Sequence, residues 1–151
     1  PCMARISYRL NKKIRYDIFD TPIVSLIQYY YLKSLKLNVG YKKNQFRLLN
    51  NHKDLINMKD RKSSLFIANW SLSEVPISFR KKFLHTIKCH EFFLISFQAY
   101  FENIDNLKYF KNVSKLLNKQ FTIKIIKNKF YKGSFLKKES HYFMIGKKIY
   151  N

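Results

Sequence analysis

The chain has 151 residues, and a domain of that length buries roughly two thirds of its unfolded surface, so a single core is expected. Its 30 Lys and Arg against 9 Asp and Glu give a net charge of +21, which by itself favours a polyanionic partner such as nucleic acid. Cys2 and Cys89 lack partners at metal-ligand spacing and indicate neither a zinc site nor a disulfide framework, and no apolar stretch reaches the roughly 20 residues that span a bilayer.

The distribution of the basic residues weakens the inference of a nucleic-acid partner. Lys outnumbers Arg fourfold, although a site that grips phosphate or guanine favours the bidentate guanidinium. The lysines are dispersed in pairs and form no long run. We therefore expect a solvated basic surface, and a basic RNA-binding or ribosomal-type protein is the alternative. The sequence shows no signal peptide, so a reducing cytoplasm is the expected compartment.

The first β-rich run, RYDIF at residues 15–19, ends at a turn that can start a helix. Thr21 is a suitable N-cap, and Pro22 suits the first helical position, where its missing N–H costs nothing. Apolar residues then recur near helical spacing from Ile23 to Leu35. These features predict a strand, a tight turn and a helix.

Two further strands are predicted in the middle of the chain. QFRLLN is followed by turn-forming residues at 50–52 and by a short helical piece through Leu55 and Met58. SLFIANW is a nearly continuous apolar run, as expected of a strand covered on both faces in a parallel sheet.

The segment after SLFIANW is predicted to form another helix, which Pro76 opens. Its apolar residues share one face, with Phe79, Phe83, Leu84 and Ile87 on it. The basic residues 80–82 are expected to face away from that side.

The last third of the chain predicts a strand, FFLISF, a helix over Tyr109 to Leu117, and two β-rich runs, FTIKIIKN and YFMIGKKIY. About a dozen residues around Gly133, with no helical pattern, join those two runs, so an antiparallel pair is expected. The fold class is therefore α/β: a mostly parallel sheet with helices on both faces and an antiparallel strand pair at the C-terminal end.

Polar side chains stand at the ends of the predicted strands. Asp20, Asn51, Asn69 and Gln98 each lie at or just after a strand end. In open α/β sheets, ligands bind outside the carboxyl ends of the strands. We therefore expect these four residues to meet at one rim of one sheet.

These residues resemble the motifs of class I S-adenosylmethionine-dependent methyltransferases. YDIFDTP resembles the second motif, whose acidic residue holds both ribose hydroxyls of the cofactor, which implies this role for Asp20 with Thr21 beside it. LLNNHKDL resembles the adenine-reading segment, which implies Asn51, with Asp54 as the lesser choice. LFIANWSLSEVP resembles the fourth-strand motif, which implies that Asn69 passes beside the methionine part of S-adenosyl-L-methionine.

The run from YDIFDTPIVSLIQYYYL through LISFQAYFENIDNLKYF most resembles the sugar O-methyltransferases of bacterial glycan gene clusters. The resemblance implies methyl transfer to a hydroxyl of a sugar or glycan. Glu74 is then the expected base that takes the hydroxyl proton, although it could equally cap the helix at Pro76. Trp70 could pack in the core or support a sugar ring, and Gln98 could contact the acceptor or satisfy a buried loop.

One motif of the resembled family has no counterpart here. Its glycine-rich loop follows the first strand, whereas this sequence has no Gly before Gly40. We therefore expect residues 1–151 to form a single partial methyltransferase domain whose first strand and glycine loop lie upstream, and expect the chain alone to be inactive. The four histidines have no matched carboxylate in sequence, so no metal site is expected, and a degenerate domain acting as a scaffold is a third interpretation.

Overall fold

The computed structural model describes residues 2–42, 44–56, 61–129 and 140–150, with the side chains of His52 and Ile56 left out. The chain divides into two compact units, Pro1–Leu55 and Ile56–Asn151, which are described separately. That the two units belong to one partial domain stays a prediction.

The first unit is a small parallel α/β sheet with its helices. Its strands are arranged in the order β1-β3-β2, and both neighbouring pairs run parallel. The prediction of strand, turn and helix is confirmed, and the two-residue strand β2 was not predicted. Its elements are α1 (Cys2–Leu10), β1 (Tyr16–Phe19), α2 (Pro22–Ser34), β2 (Val39–Gly40), β3 (Phe46–Leu49) and α3 (His52–Ile56), while Met58 lies outside the described residues.

The core of this unit forms between the sheet and helices α1 and α2. Phe46 lies at its centre, with the Tyr8 ring edge-on at 5.9 Å and the Tyr16 ring stacked at 6.3 Å. Full burial of a side chain of this size stabilises the fold by roughly 1.5–3 kcal/mol. The buried members of the cluster are Ala4, Leu32, Leu37, Val39, Phe46 and Leu48.

An ion pair joins the two longer strands of this sheet. Asp17 in β1 lies opposite Arg47 in β3. Arg47 donates through Nε at 3.1 Å and through Nη2 at 2.6 Å to the two carboxylate oxygens of Asp17. This hydrogen bonding raises the pKa of the Arg47 guanidinium. Such a bidentate pair has a narrow geometry, and it therefore favours one strand register.

Helix α2 is present as predicted, but its apolar spacing marks the exposed side. Ile23 and Ile27 are 75% and 62% exposed. The buried side carries two polar residues and one leucine, namely Ser25, Gln28 and Leu32. The Ser25 hydroxyl and the Gln28 carbonyl oxygen have no hydrogen-bond partner within the described part of the protein.

The second unit contains a four-stranded sheet in the order β4-β5-β9-β8. β4 and β5 run parallel, whereas β9 runs antiparallel to both β5 and β8. The predicted C-terminal antiparallel pair is therefore confirmed, and the residues around Gly133 that join it lie outside the described residues. The elements are β4 (Arg61–Asn69), α4 (Ile77–Arg80), α5 (Phe83–Lys88), β5 (His90–Gln98), β6 (Tyr100–Phe101), β7 (Ile104–Asp105), α6 (Asn106–Leu117), β8 (Phe121–Lys127) and β9 (His141–Lys148).

One face of this sheet forms the core of the second unit. Alternate residues of β5, Phe93, Ile95 and Phe97, are fully buried. Phe97 packs on Phe110 of α6 with ring centroids 4.4 Å apart. Gly146 in β9 lies so close to Phe93 that a Cβ atom there would collide with the ring. This position therefore requires glycine for space, not for backbone freedom.

Strand β4 differs from the expectation of a strand covered on both faces. It stands at one end of the strand order, and Leu65 is half exposed while Ala68 is its buried residue. Within the described residues, β4 pairs with β5 alone. An apolar run cannot by itself distinguish an edge strand from a central one, since both are rich in branched and aromatic residues.

Candidate cofactor and acceptor sites

Asp20 lies directly after β1, and its backbone N–H continues the strand pairing by donating to Leu49 O at 3.1 Å. Its carboxylate accepts two hydrogen bonds, from Thr21 N–H at 2.9 Å and from the Gln28 side-chain amide at 3.0 Å. Because a carboxylate offers about four acceptor positions, about two remain for a ligand. Vicinal hydroxyls such as those of a ribose fit an acceptor of this kind, which is partly exposed at the strand end.

Gln28 fixes the direction of that carboxylate. It lies two turns along α2 and is buried, so its amide has few alternative positions. A buried amide that donates to a partly exposed carboxylate holds it ready before a ligand arrives, which lowers the cost of ordering on binding. The sequence pattern alone does not predict a role for Gln28. Its signal was a polar residue facing inwards, which becomes visible only when the buried side of α2 is known.

Thr21 is the N-cap of α2, as predicted, with extended backbone and Pro22 in the first turn. Its side chain makes no capping hydrogen bond to the helix. The contribution of Thr21 seen in the structure is therefore its backbone N–H, which orients Asp20. A contact between its hydroxyl and a cofactor stays a prediction.

Asn51 caps a short helix. Its side-chain oxygen accepts from Lys53 N–H at 3.0 Å at the start of α3. Since β1 and β3 are parallel neighbours with Phe19 opposite Leu49, Asp20 and Asn51 follow the same edge of this sheet. The exposed amide group of Asn51 can still meet a ring nitrogen or amino group of a base, and the adenine-reading role of Asn51 stays a prediction.

Asn69 and Trp70 end strand β4 in the second unit. The Ser96 hydroxyl donates to the Asn69 side-chain oxygen at 3.2 Å, across the β4–β5 pair. Trp70 adopts φ of 62°, the left-handed region that bulky side chains rarely enter. Its N–H donates to Ser96 O at 2.9 Å, and its carbonyl accepts from Ser73 N–H at 2.8 Å. Backbone hydrogen bonds on both sides hold Trp70 in this conformation.

The Trp70 ring is 44% exposed, and it lies on the ring of His141 with centroids 4.9 Å apart and a tilt of 40°. His141 begins β9 and is opposite Gln98, the last residue of β5. The indole therefore stands at the carboxyl end of the two parallel strands. The sequence left open whether Trp70 is a core residue, and the structure places it outside the core.

Glu74 lies in the loop after β4, residues 70–76, and is exposed. The Gln98 side-chain amide lies 3.5 Å from the Glu74 carboxylate, at the outer limit of a hydrogen bond. The Ser73 hydroxyl lies 2.8 Å from the Gln98 side-chain oxygen and fixes which way that amide points. The structure thus brings together Glu74 and Gln98. The four strand-end residues predicted to share one sheet are divided between two in the described strand pairings, since Asp20 and Asn51 follow strands of the first sheet and Asn69 and Gln98 end strands of the second. A catalytic role for Glu74 stays a prediction.

Arg80 holds the backbone on either side of Glu74. Its guanidinium donates to Val75 O at 2.7 Å, to Ser73 O at 2.8 Å and to the Asn106 side-chain oxygen at 2.7 Å. The prediction that Arg80 faces solvent is wrong, since only 2% of it is exposed. The predicted single helix is broken into α4 and α5, and Arg80, at the end of α4, turns inwards to these carbonyls. Burial lowers the pKa of the Arg80 guanidinium.

Side-chain clusters and helix lengths bear on metal and membrane binding. No group of three or more His, Cys, Asp or Glu side chains suited to a metal ion occurs in the described ranges. In the same part of the chain, every helix falls short of the length and apolarity that crossing a bilayer requires.

Comparisons with known proteins identify the fold. No protein-family model and no curated protein matches the chain. A chain of the Pnkp1/Rnl/Hen1 RNA repair complex is similar with a TM-score of 0.62 and 9% identity, over 96% of this chain and 34% of that chain. The methyltransferase domain of bacterial CtHen1 gives 0.58 and 9% identity, over 88% and 77%. An assigned rRNA methylase of Clostridium thermocellum gives 0.56 and 13% identity, over 89% and 75%.

The chain thus spans about a third of the RNA repair protein and about three quarters of the methyltransferase domain. With the strand pairings above, these similarities give the protein the Rossmann-like α/β fold of class I methyltransferases, as predicted. At this level of identity the comparison concerns the fold.

Proposed function

We propose that the protein is an S-adenosylmethionine-dependent methyltransferase that acts on a hydroxyl of a sugar or glycan. The observation that carries the proposal is the Asp20 carboxylate, which follows a parallel strand and is oriented by Thr21 N–H and the Gln28 amide. This acceptor has room for a second pair of hydrogen bonds, which a ribose diol would supply. The fold supports this role, because ligands of open α/β sheets bind at the carboxyl ends of the strands, where Asp20 lies.

Four residues of the chain have distinct roles in the proposed reaction. S-adenosylmethionine supplies, when bound, an electrophilic methyl group on a sulfonium sulfur. In the first unit, Asp20 would bind the ribose hydroxyls and Asn51 would meet the adenine edge. The place expected for Asn69, beside the methionine part of the cofactor, stays a prediction from the sequence. The Glu74 carboxylate takes the proton from the acceptor hydroxyl as its oxygen attacks. Alignment of the attacking oxygen with the methyl group gives the larger share of the rate enhancement.

RNA is the second candidate acceptor. It is favoured by the net charge of +21 and by the names of similar proteins, which include an RNA repair complex and an rRNA methylase. A basic surface attracts nucleic acid through counterion release. The sugar acceptor is preferred because residues 63–79, which include Glu74, contain no Lys or Arg.

Calorimetric titration of the full-length protein with S-adenosylhomocysteine tests the cofactor site. Asp20→Ala should weaken binding at least tenfold, and Asp20→Asn, which keeps the size but removes one acceptor oxygen, should have an intermediate effect. Glu102→Gln changes an exposed carboxylate in the other unit and serves as the matched control. Equal affinity of native protein and Asp20→Ala would remove the ribose assignment. If native protein shows no saturable binding, the choice of S-adenosylmethionine as the cofactor is contradicted.

A further inference from the structure

We infer that Trp70 is the platform on which the ring of an uncharged sugar acceptor rests. This inference extends the proposed function, on which it rests for the claim that the bound sugar is a substrate. The binding site itself is inferred from the structure of the second unit alone. Four observations carry it: the backbone conformation of Trp70, the His141 ring that supports its indole, the polar groups at the same strand ends, and the absence of Lys and Arg from residues 63–79 and 89–107.

The first observation is the conformation of Trp70. A left-handed backbone costs a bulky residue roughly 1–2 kcal/mol, and such conformations concentrate at functional sites. Trp70 nevertheless remains 44% exposed, so its burial is incomplete. A tryptophan that only filled space would sit in the core with a relaxed backbone. Here Ser96 and Ser73 hold the backbone so that the indole stands at the edge of the sheet.

The second observation is the support beneath the indole. The His141 ring lies 4.9 Å away, so one side of Trp70 is braced and cannot collapse onto the sheet. A braced aromatic ring is a rigid apolar surface with a low entropy cost on binding. The C–H side of a pyranose ring is a flat apolar surface of similar size. Burying one against the other is favourable in water.

The third observation is the set of polar groups at the same strand ends as Trp70. Glu74 and the Gln98 amide lie within hydrogen-bond range of each other, and the Asn69 side chain directly precedes Trp70. A carboxylate accepts from hydroxyls, and a side-chain amide both donates and accepts. Apolar walls with a few oriented polar groups are the usual construction of a small-ligand site. Hydroxyl groups on a sugar ring complement this set.

The fourth observation separates a sugar from a nucleic acid. Residues 63–79 and 89–107, which form most of β4 and β5 and the segments that follow them, contain no Lys or Arg. On the antiparallel side of the sheet, Lys127 of β8 does lie opposite Tyr142, next to His141. An even spread of the chain's 30 cations over its 151 residues would place about seven in these two stretches. The same stretches carry four of the nine acidic residues, Glu74, Glu91, Glu102 and Asp105.

Burial alone does not explain this charge pattern. Ser71, Ser78, Tyr100 and Asn103 are exposed positions within the two stretches, where a lysine would fit. The charge of Arg80 is buried behind the loop. Phosphate groups are bound by Lys, Arg and backbone N–H groups, and basic contacts supply most of the affinity. Since the two parallel strands and the segments that follow them supply no cation for a phosphate, we expect an acceptor that lies on Trp70 to be uncharged.

Tryptophan fluorescence gives a direct test, because Trp70 is the single tryptophan of the chain. The full chain is titrated with the methyl glycosides of glucose, galactose, mannose, rhamnose and fucose, and in parallel with a decauridylate. We expect at least one glycoside to change the emission saturably in the millimolar range. That change should be insensitive to salt, and Glu74→Gln or Gln98→Ala should weaken it several-fold.

Two variants separate the platform from general folding. Trp70→Gly removes the ring and relieves the left-handed backbone, so it should keep the melting temperature near that of native protein. In ligand-observed saturation-transfer spectra it should lose glycoside binding. Trp70→Phe should retain part of the binding. Tyr30→Ala, which removes an exposed tyrosine in the first unit, should leave binding unchanged.

The possible results are distinct. No saturable response to any of the glycosides, or unchanged binding by Trp70→Gly, would overturn the platform. Quenching by decauridylate that falls steeply with salt would replace the sugar with a nucleic acid. Glycoside binding without any S-adenosylhomocysteine binding would keep the platform and defeat the methyltransferase proposal. Cofactor binding without glycoside binding would overturn the platform and leave the methyltransferase proposal standing.

Discussion

The buried amide of Gln28 donates to the carboxylate of Asp20 at 3.0 Å, across two turns of helix α2. This contact joins the interior of the first unit to the residue proposed to hold the cofactor. The carbonyl oxygen of the same amide is buried without a partner within the described part of the protein. If Asp20 holds the cofactor as proposed, Gln28 favours binding at a cost to stability.

Gln28→Leu should separate those two effects. It removes the donor to Asp20, and we expect S-adenosylhomocysteine to bind about fivefold to tenfold more weakly, as the loss of one hydrogen bond of roughly 1 kcal/mol or more implies. The free energy of unfolding should stay equal or rise, because an unsatisfied buried oxygen is removed at the same time. Calorimetry and chemical denaturation measure the two quantities. A large loss of stability with unchanged affinity would contradict this interpretation.

Arg80→Met should destabilise the second unit by about 3 kcal/mol or more, since it leaves the Ser73 and Val75 carbonyls without their donor in a buried place. Arg80→Lys should recover only part, because one ammonium cannot reach three acceptors in the geometry of a guanidinium. A double-mutant cycle with Asn106→Leu should give a coupling of about 1 kcal/mol or more. Denaturant unfolding gives all four values. Additive effects would show that the two side chains do not act together.

Gly146→Ala should destabilise the second unit by about 1–3 kcal/mol, because its Cβ would push against the Phe93 ring in a packed core. Gly40→Ala is the matched control. There the added atom meets the flexible side chain of Asn44, which can move aside, so the change in stability should be small. Thermal unfolding of both variants measures the difference. Equal melting temperatures would show that the Phe93 contact is easily relaxed.

Alkaline pH should destabilise the first unit through Tyr16. Burial raises the pKa of the Tyr16 hydroxyl above its ordinary value of 10.0. A group whose pKa is higher in the folded state favours folding below its unfolded pKa, and this contribution is lost as pH rises through the folded pKa. Stability should therefore decline above about pH 10. Tyr16→Phe should decline less steeply, whereas Tyr30→Phe, at an exposed position, should follow native protein.

Much of the fold could be predicted from the sequence because local signals were strong. RYDIF and QFRLLN became parallel neighbours, and the two C-terminal runs became an antiparallel pair. Asp20 could be placed because a strand end and a proline-started helix bracket it. Such signals depend on residues adjacent in sequence.

The residues that sequence reasoning missed act over a longer distance. Arg80 looked like a solvent-facing member of a basic run, and only the break between α4 and α5 turns it towards the carbonyls of the preceding loop. Gln28 lies on a helix side that the apolar spacing marked as the outside. In both places a polar side chain satisfies backbone or carboxylate groups that a one-dimensional pattern does not reveal. Predictions of burial from apolar spacing fail for the same reason.

The Asp17–Arg47 pair on the first sheet has a consequence for the edge that Asp20 occupies. Slippage of β1 along β3 by one residue would move Asp20 by about 3.3 Å and turn every side chain of the strand to the opposite face. The cross-strand ion pair would break in the misaligned state, and two charges would be left without each other. A charge pair three residues away from Asp20 thus fixes the alignment of the strand, so the location of the Asp20 carboxylate depends on strand pairing as well as on its own loop.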